Sequence, residues 1–151
     1  KSKQSIANIE TEDTAIAILN FKNKSLGIIE ATTAARPNNI EGSISILGEK
    51  GTAVIGGIAV DKINTWRFEN EEKNEKDIIS KFSNEVDHVY GIGHQLYYEH
   101  VVDCINNGSA QLVDGLEGKK SIELINSIYE SIETGKEIYI NSSFSKTKLG
   151  N

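Results

Sequence analysis

The chain has 151 residues, 16 basic and 22 acidic, giving a formal net charge of −6. That length fits one domain, 38% hydrophobic residues suffice for a core, and the acidic excess argues against nucleic acid as the main partner. The single cysteine, Cys104, excludes an internal disulfide and any multi-cysteine zinc site, and no apolar run approaches the roughly 18 residues of a membrane span.

The opening KSKQSIANIETED has no apolar stretch after its charged start, so it does not read as a signal peptide; a cytoplasmic domain is the expectation. Met is absent altogether, so the chain is expected to be a fragment or processed piece. Only Arg36 and Arg67 are arginines in a chain whose other cations are lysines. An arginine in that setting draws attention for its planar, bidentate fork.

In chain order, Asp13 to Phe21 is β-branched and apolar, Lys22 to Ser25 is a polar turn, and Leu26 to Thr33 resumes the strand pattern, predicting a hairpin. Pro37, with Asn38 and Asn39, breaks the strand and marks a loop. Glu41 to Leu47 alternates, Gly48 to Gly51 turns, and Thr52 to Ile55 completes a second hairpin. Past Gly56-Gly57 a strand is predicted over Ile58 to Phe68. Glu69 to Asp77 holds only charged and amide side chains and reads as a solvated loop, and Ile78 to Val89 is expected to be a strand.

The period then changes. Residues His94 to Ile105 repeat at helical spacing and stop at Asn106-Asn107-Gly108; Leu116 to Thr134 does the same and stops at Gly135. Lys136 to Ile140 is expected as a final short strand, followed by a polar tail over 141–151. Strands first and helices later argue for α+β: a large, predominantly antiparallel (mixed) sheet with two main helices on one face. Residues 1–140 form the domain. The strands Ala15–Phe21 and Leu26–Ala31 carry apolar residues at both parities, so the open face is expected to bury itself against another chain or another domain, a reason to expect an oligomer, a dimer or tetramer.

Chemistry is sparse. No Gly-x-Gly-x-x-Gly and no Gly-x-x-x-x-Gly-Lys-Ser/Thr occurs, so neither a dinucleotide nor a nucleoside triphosphate is cradled. Cys104 follows His100 by four positions, but a thiol on a helix's core stripe reads as filler. His94 and His100 lie six positions apart, about 120° off a common face, and make poor joint metal ligands. No metal and no catalytic residue is expected. Two candidates remain for anion binding. His94 sits after Gly91-Ile-Gly93 at a helix start, either facing an anion or merely capping the helix. Arg36 leaves a strand end beside Pro37, either gripping a carboxylate or phosphate or forming a surface ion pair.

The strings Glu12-Asp-Thr-Ala-Ile-Ala-Ile-Leu-Asn-Phe21, Leu26-Gly-Ile-Ile-Glu-Ala-Thr-Thr33 and Gly42-Ser-Ile-Ser-Ile-Leu-Gly-Glu-Lys-Gly-Thr52 resemble the C-terminal domain of the Gfo/Idh/MocA oxidoreductases. So do Gly93-His94, the helix ending at Gly108, and Gly115-Leu-Glu-Gly-Lys-Lys-Ser121 before Glu130-Ser131. Within that family, Thr-Thr-Ala-Ala-Arg-Pro and Gly-x-Gly-His look most like enzymes of nucleotide-linked amino-sugar uronates. The resemblance implies a parent protein with an N-terminal Rossmann domain, absent from this chain, that binds NAD or NADP and carries the catalytic Lys and His. It implies that this domain supplies the oligomer interface and loops closing a sugar pocket, with Arg36, Asn38 and His94 contacting sugar or phosphate. The chain alone is then expected to bind no cofactor and to catalyse nothing. The alternative is a stand-alone α+β binding or assembly module without a redox role.

Overall fold

The computed structural model describes residues 1–3, 11–69, 74–84, 86 and 90–140. Along them run β1 (Ser2–Lys3), β2 (Thr14–Asn20), β3 (Leu26–Thr32), β4 (Ile44–Gly48), β5 (Gly51–Gly56), β6 (Lys62–Phe68), α1 (Glu75–Phe82), α2 (Gly93–Asn107) and α3 (Gly115–Thr134). The class is α+β. Every strand pairing among the described residues is antiparallel, in two three-stranded ladders of order β1-β2-β3 and β4-β5-β6. The ladders fall in two compact units, Lys1–Ala34 with Ala110–Asn151, and Ala35–Ser109. The tail 141–151 lies outside the described residues.

In the first unit, β2 and β3 form the expected hairpin in register from Thr14↔Thr32 to Asn20↔Leu26. Its turn is built by Asn23, whose side-chain oxygen accepts from the Ser25 N–H at 3.1 Å and hydroxyl at 2.7 Å. Such a side chain imitates a backbone turn, which frees Lys24 to adopt φ 71°. Pleating sends Ile16, Ile18, Leu26 and Ile28 to one face, where they stand 47%, 71%, 72% and 75% exposed. Ala17, Leu19 and Ile29, on the other face, are half-buried.

Helix α3 belongs to this unit. Asp114 caps it by accepting from the Glu117 N–H at 2.9 Å. Its half-buried Leu124, Ile128 and Ile132 recur every four residues, and the Tyr129 hydroxyl donates to the Glu12 carboxylate just before β2. The strand expected over Lys136–Ile140 is not formed. Ser131 and Thr134 hydroxyls instead bind the Lys136 backbone at 2.7 and 3.4 Å; Asn20, at the end of β2, donates to Glu137 at 3.4 Å, but no described strand pairs with the segment, and strand propensity without a partner ladder leaves it irregular.

In the second unit, β4 and β5 form the second expected hairpin, from Ile44↔Ile55 to Gly48↔Gly51. β6 starts at Lys62, later than expected, because residues 57–60 are a turn with positive φ at Gly57 and Val60. The strand expected over Ile78–Val89 is a correction: residues 75–82 are α1, while 85 and 87–89 lie outside the described residues. Asn74 caps α1 through the Lys76 N–H, Glu75 and Asp77 occupy its first turn, and Ile78 is buried. A capped acidic first turn outweighs the strand propensity of two adjacent isoleucines.

The purpose of α1 is visible in its hydrogen bonds to the outer edge of β6. Glu75 accepts from the Trp66 N–H at 3.2 Å and from the Arg67 Nε at 3.1 Å, and the Ser83 hydroxyl, at the helix's C-cap, accepts from the Ile63 N–H at 3.0 Å. Edge donors that would otherwise invite another strand are satisfied. The two expected main helices, α2 and α3, stop at Gly108 and Gly135, which take left-handed φ values of 65° and 67° that a Cβ disfavours.

Candidate substrate-contact site

All three sequence-derived candidates lie in the second unit. Arg36 and Asn38 occupy the irregular segment between β3 and β4, and both are exposed. The Arg36–Pro37 peptide is cis, and the Arg36 guanidinium donates to the Ala35 carbonyl at 2.7 Å. The other arginine, Arg67, is paired to the Glu75 carboxylate at 3.1 Å. The Glu75 carboxyl is held below the usual carboxylate range, first by the Trp66 N–H and then by Arg67.

His94 is the second residue of α2 and is exposed. It does not cap the helix. Ile92 is the N-cap residue, with no side-chain hydrogen bond, and the first turn carries no acidic residue. The imidazole instead meets the Tyr90 ring edge-on, with centroids 5.3 Å apart and planes at 77°. Between those two rings the chain passes through Gly91 at φ 53°, where a Cβ would lie 3.0 Å from that of Ala59 and 3.7 Å from Val86 Cγ2. Only glycine allows that turn to lie so close against the β5–β6 connection. The start of α2 is thus seated on the strand connection that precedes it.

The structure does not join the loop to the helix start by any hydrogen bond between Arg36 or Asn38 and His94. His100 and Cys104 do meet, with Nε2 3.4 Å from Sγ, but the thiol is 7% exposed and serves as core filler. Among the described residues no three His, Cys, Asp or Glu side chains gather as metal ligands would. Two features escaped sequence reasoning. Tyr90 carries no motif, and only its four-residue spacing from His94 hinted at contact. Asp61, after the turn at 57–60, has a buried Oδ2 that meets no hydrogen-bond partner among the described residues, and its Oδ1 lies 2.7 Å from where a Gly57 Cβ would stand.

The usual cradle of a dinucleotide is not found among the described residues. The pyrophosphate is held where a parallel βαβ unit turns through a Gly-x-Gly-x-x-Gly loop. The described ladders are antiparallel throughout, and the sequence lacks that string. No helix is long and apolar enough to cross a membrane among the described residues.

Residues 1–141 match the family described as "Oxidoreductase family, C-terminal alpha/beta domain", of the Gfo/Idh/MocA group. Similar solved structures include the WlbA dehydrogenase from Bordetella pertussis in complex with NADH and UDP-GlcNAcA, at 40% identity and TM-score 0.79 over 89% of this chain and 39% of that one. The WlbA dehydrogenase from Chromobacterium violaceum, also in complex with NADH and UDP-GlcNAcA, is 34% identical with TM-score 0.78, over 95% of this chain and 39% of that one. No curated protein matches the sequence. The chain therefore spans about two-fifths of the length of these relatives. It belongs to the C-terminal alpha/beta domain family of the Gfo/Idh/MocA oxidoreductases.

Proposed function

We propose that this chain is the substrate-binding and assembly part of a cytoplasmic, NAD-dependent nucleotide-sugar dehydrogenase, acting on a UDP-linked N-acetylamino-uronate. The observation that carries the reading is the 34–40% identity, over 89–95% of this chain, to two dehydrogenases solved with NADH and UDP-GlcNAcA. Nicotinamide, when bound by the remainder of the parent protein, accepts the hydride from the sugar's CH–OH carbon. The hydroxyl proton passes to a base also outside this chain. The chain's own residues bind and orient: Arg36 offers a planar fork to a phosphate or carboxylate, Asn38 offers an amide to sugar hydroxyls, and His94 stands at a helix start whose backbone N–H groups favour negative charge.

Assembly is the second part of the proposal. The face carrying Ile16, Ile18, Leu26 and Ile28 is apolar at its centre, with Asn20 and Glu30 at its ends, which favours a second copy of the protein as its cover. A module without a redox role finds less support, because both dehydrogenase structures align along nearly the whole chain. The test is direct. Full-length protein given UDP-GlcNAcA and NAD should form NADH in proportion to sugar oxidised; no turnover with this or related UDP-uronates refutes the reading.

A further inference from the structure

We propose that Tyr90 is a positioning residue for His94, holding the imidazole in the orientation in which it meets the substrate; this rests on the placement of His94 in the substrate site. His94 is exposed in the first turn of α2, and its ring contact among the described residues is with a residue that precedes the helix. Here the ring is fixed from outside the helix: Tyr90 lies edge-on to it at 5.3 Å and 77°, inside the range in which aromatic rings attract through their quadrupoles. The Tyr90 backbone is itself held, because Gly91 is wedged between Ala59 and Val86. A strand connection therefore sets a turn, the turn sets one ring, and that ring sets the other.

Tyr90 is 68% exposed and His94 is exposed, so the contact does not serve the core. Its effect is to remove rotational freedom from His94 before a ligand arrives, and freedom removed in advance is not lost on binding. The attraction lies between ring systems, so phenylalanine should serve as well as tyrosine, whereas leucine should not.

Steady-state kinetics of the full-length enzyme provide the test, using UDP-GlcNAcA and NAD with the variants Tyr90→Phe, Tyr90→Leu, His94→Ala and Tyr90→Leu/His94→Ala. Tyr90→Leu should raise KM for the sugar about 2- to 10-fold, with kcat and KM for NAD unchanged, and Tyr90→Phe should restore it. Once His94 is alanine, Tyr90→Leu should add almost nothing. If His94→Ala raises the sugar KM but Tyr90→Leu does not, or raises it equally with His94 absent, the inference is wrong and the site stands. If His94→Ala leaves the sugar KM unchanged, the placement of His94 falls and takes the inference with it.

Discussion

Substituting Ile18 by aspartate probes the apolar face of the first ladder. Ile18 pairs directly with Ile28 across β2 and β3, and the two stand 71% and 75% exposed. Full burial of an isoleucine is worth about 1.5–3 kcal/mol, so covering the remaining three-quarters of each contributes about 1–2 kcal/mol. A two-fold interface uses both side chains in both copies, which brings the pair to about 4–8 kcal/mol, or about 10³- to 10⁶-fold in Kd. Ile18→Asp removes part of that and leaves a carboxylate to be desolvated without a partner. The side chain points outward from the hairpin, so far-UV circular dichroism should not change. Sedimentation velocity of the full-length protein should show the wild type as an oligomer and Ile18→Asp as a smaller species, while Lys22→Asp in the exposed turn keeps the wild-type mass. A wild type that sediments as a monomer at high concentration, or an Ile18→Asp variant of wild-type mass, refutes the argument.

Three further outcomes follow from the local structure. Asp114→Ala removes the cap of α3 and should cost about 0.5–2 kcal/mol of stability in denaturant unfolding, whereas Asp114→Asn should cost far less. The folded-state pKa of Glu75 lies below its unfolded value, so its bonds to Trp66 and Arg67 stabilise the fold above the unfolded pKa, and that stability is lost as pH falls through the folded one. Acid unfolding followed by tryptophan fluorescence should accordingly be less steep in Glu75→Gln. The hydrogen bond to Glu12 raises the Tyr129 pKa, with partial burial second, so the folded state favours the neutral phenol. Its stabilisation is complete below the unfolded tyrosine pKa and is lost as pH rises through the higher folded value; ultraviolet titration should show one late phenol that Tyr129→Phe abolishes.

The parts of the fold that were legible in the sequence are those decided locally. Gly108 and Gly135 end their helices because their own φ values suit a stop, and Asn23 makes its turn with its own side chain. Helix α1 was hidden because its first turn, Glu75-Lys76-Asp77, continues an acidic run that looks like loop until Asn74 is recognised as a cap. Lys136–Ile140 was misjudged for the opposite reason: a strand needs a neighbour, and no local pattern reports one. The same divide runs through the site. Arg36 and His94 stood out by residue type and position, but the ring that meets His94 and the carboxylate that engages Arg67 depend on how turns and edges pack. Pairings of that kind carry no periodic signal.

The central claim is a division of labour, in which this chain holds the sugar and the remainder of the parent protein holds the nicotinamide. It is tested most directly by measuring KM for UDP-GlcNAcA and for NAD in full-length Arg36→Ala and His94→Ala variants. The account expects the sugar KM to rise by about tenfold or more, as loss of a charged or paired contact implies, with the NAD value unchanged. Equal rises in both constants, or a rise in the NAD value alone, would contradict it.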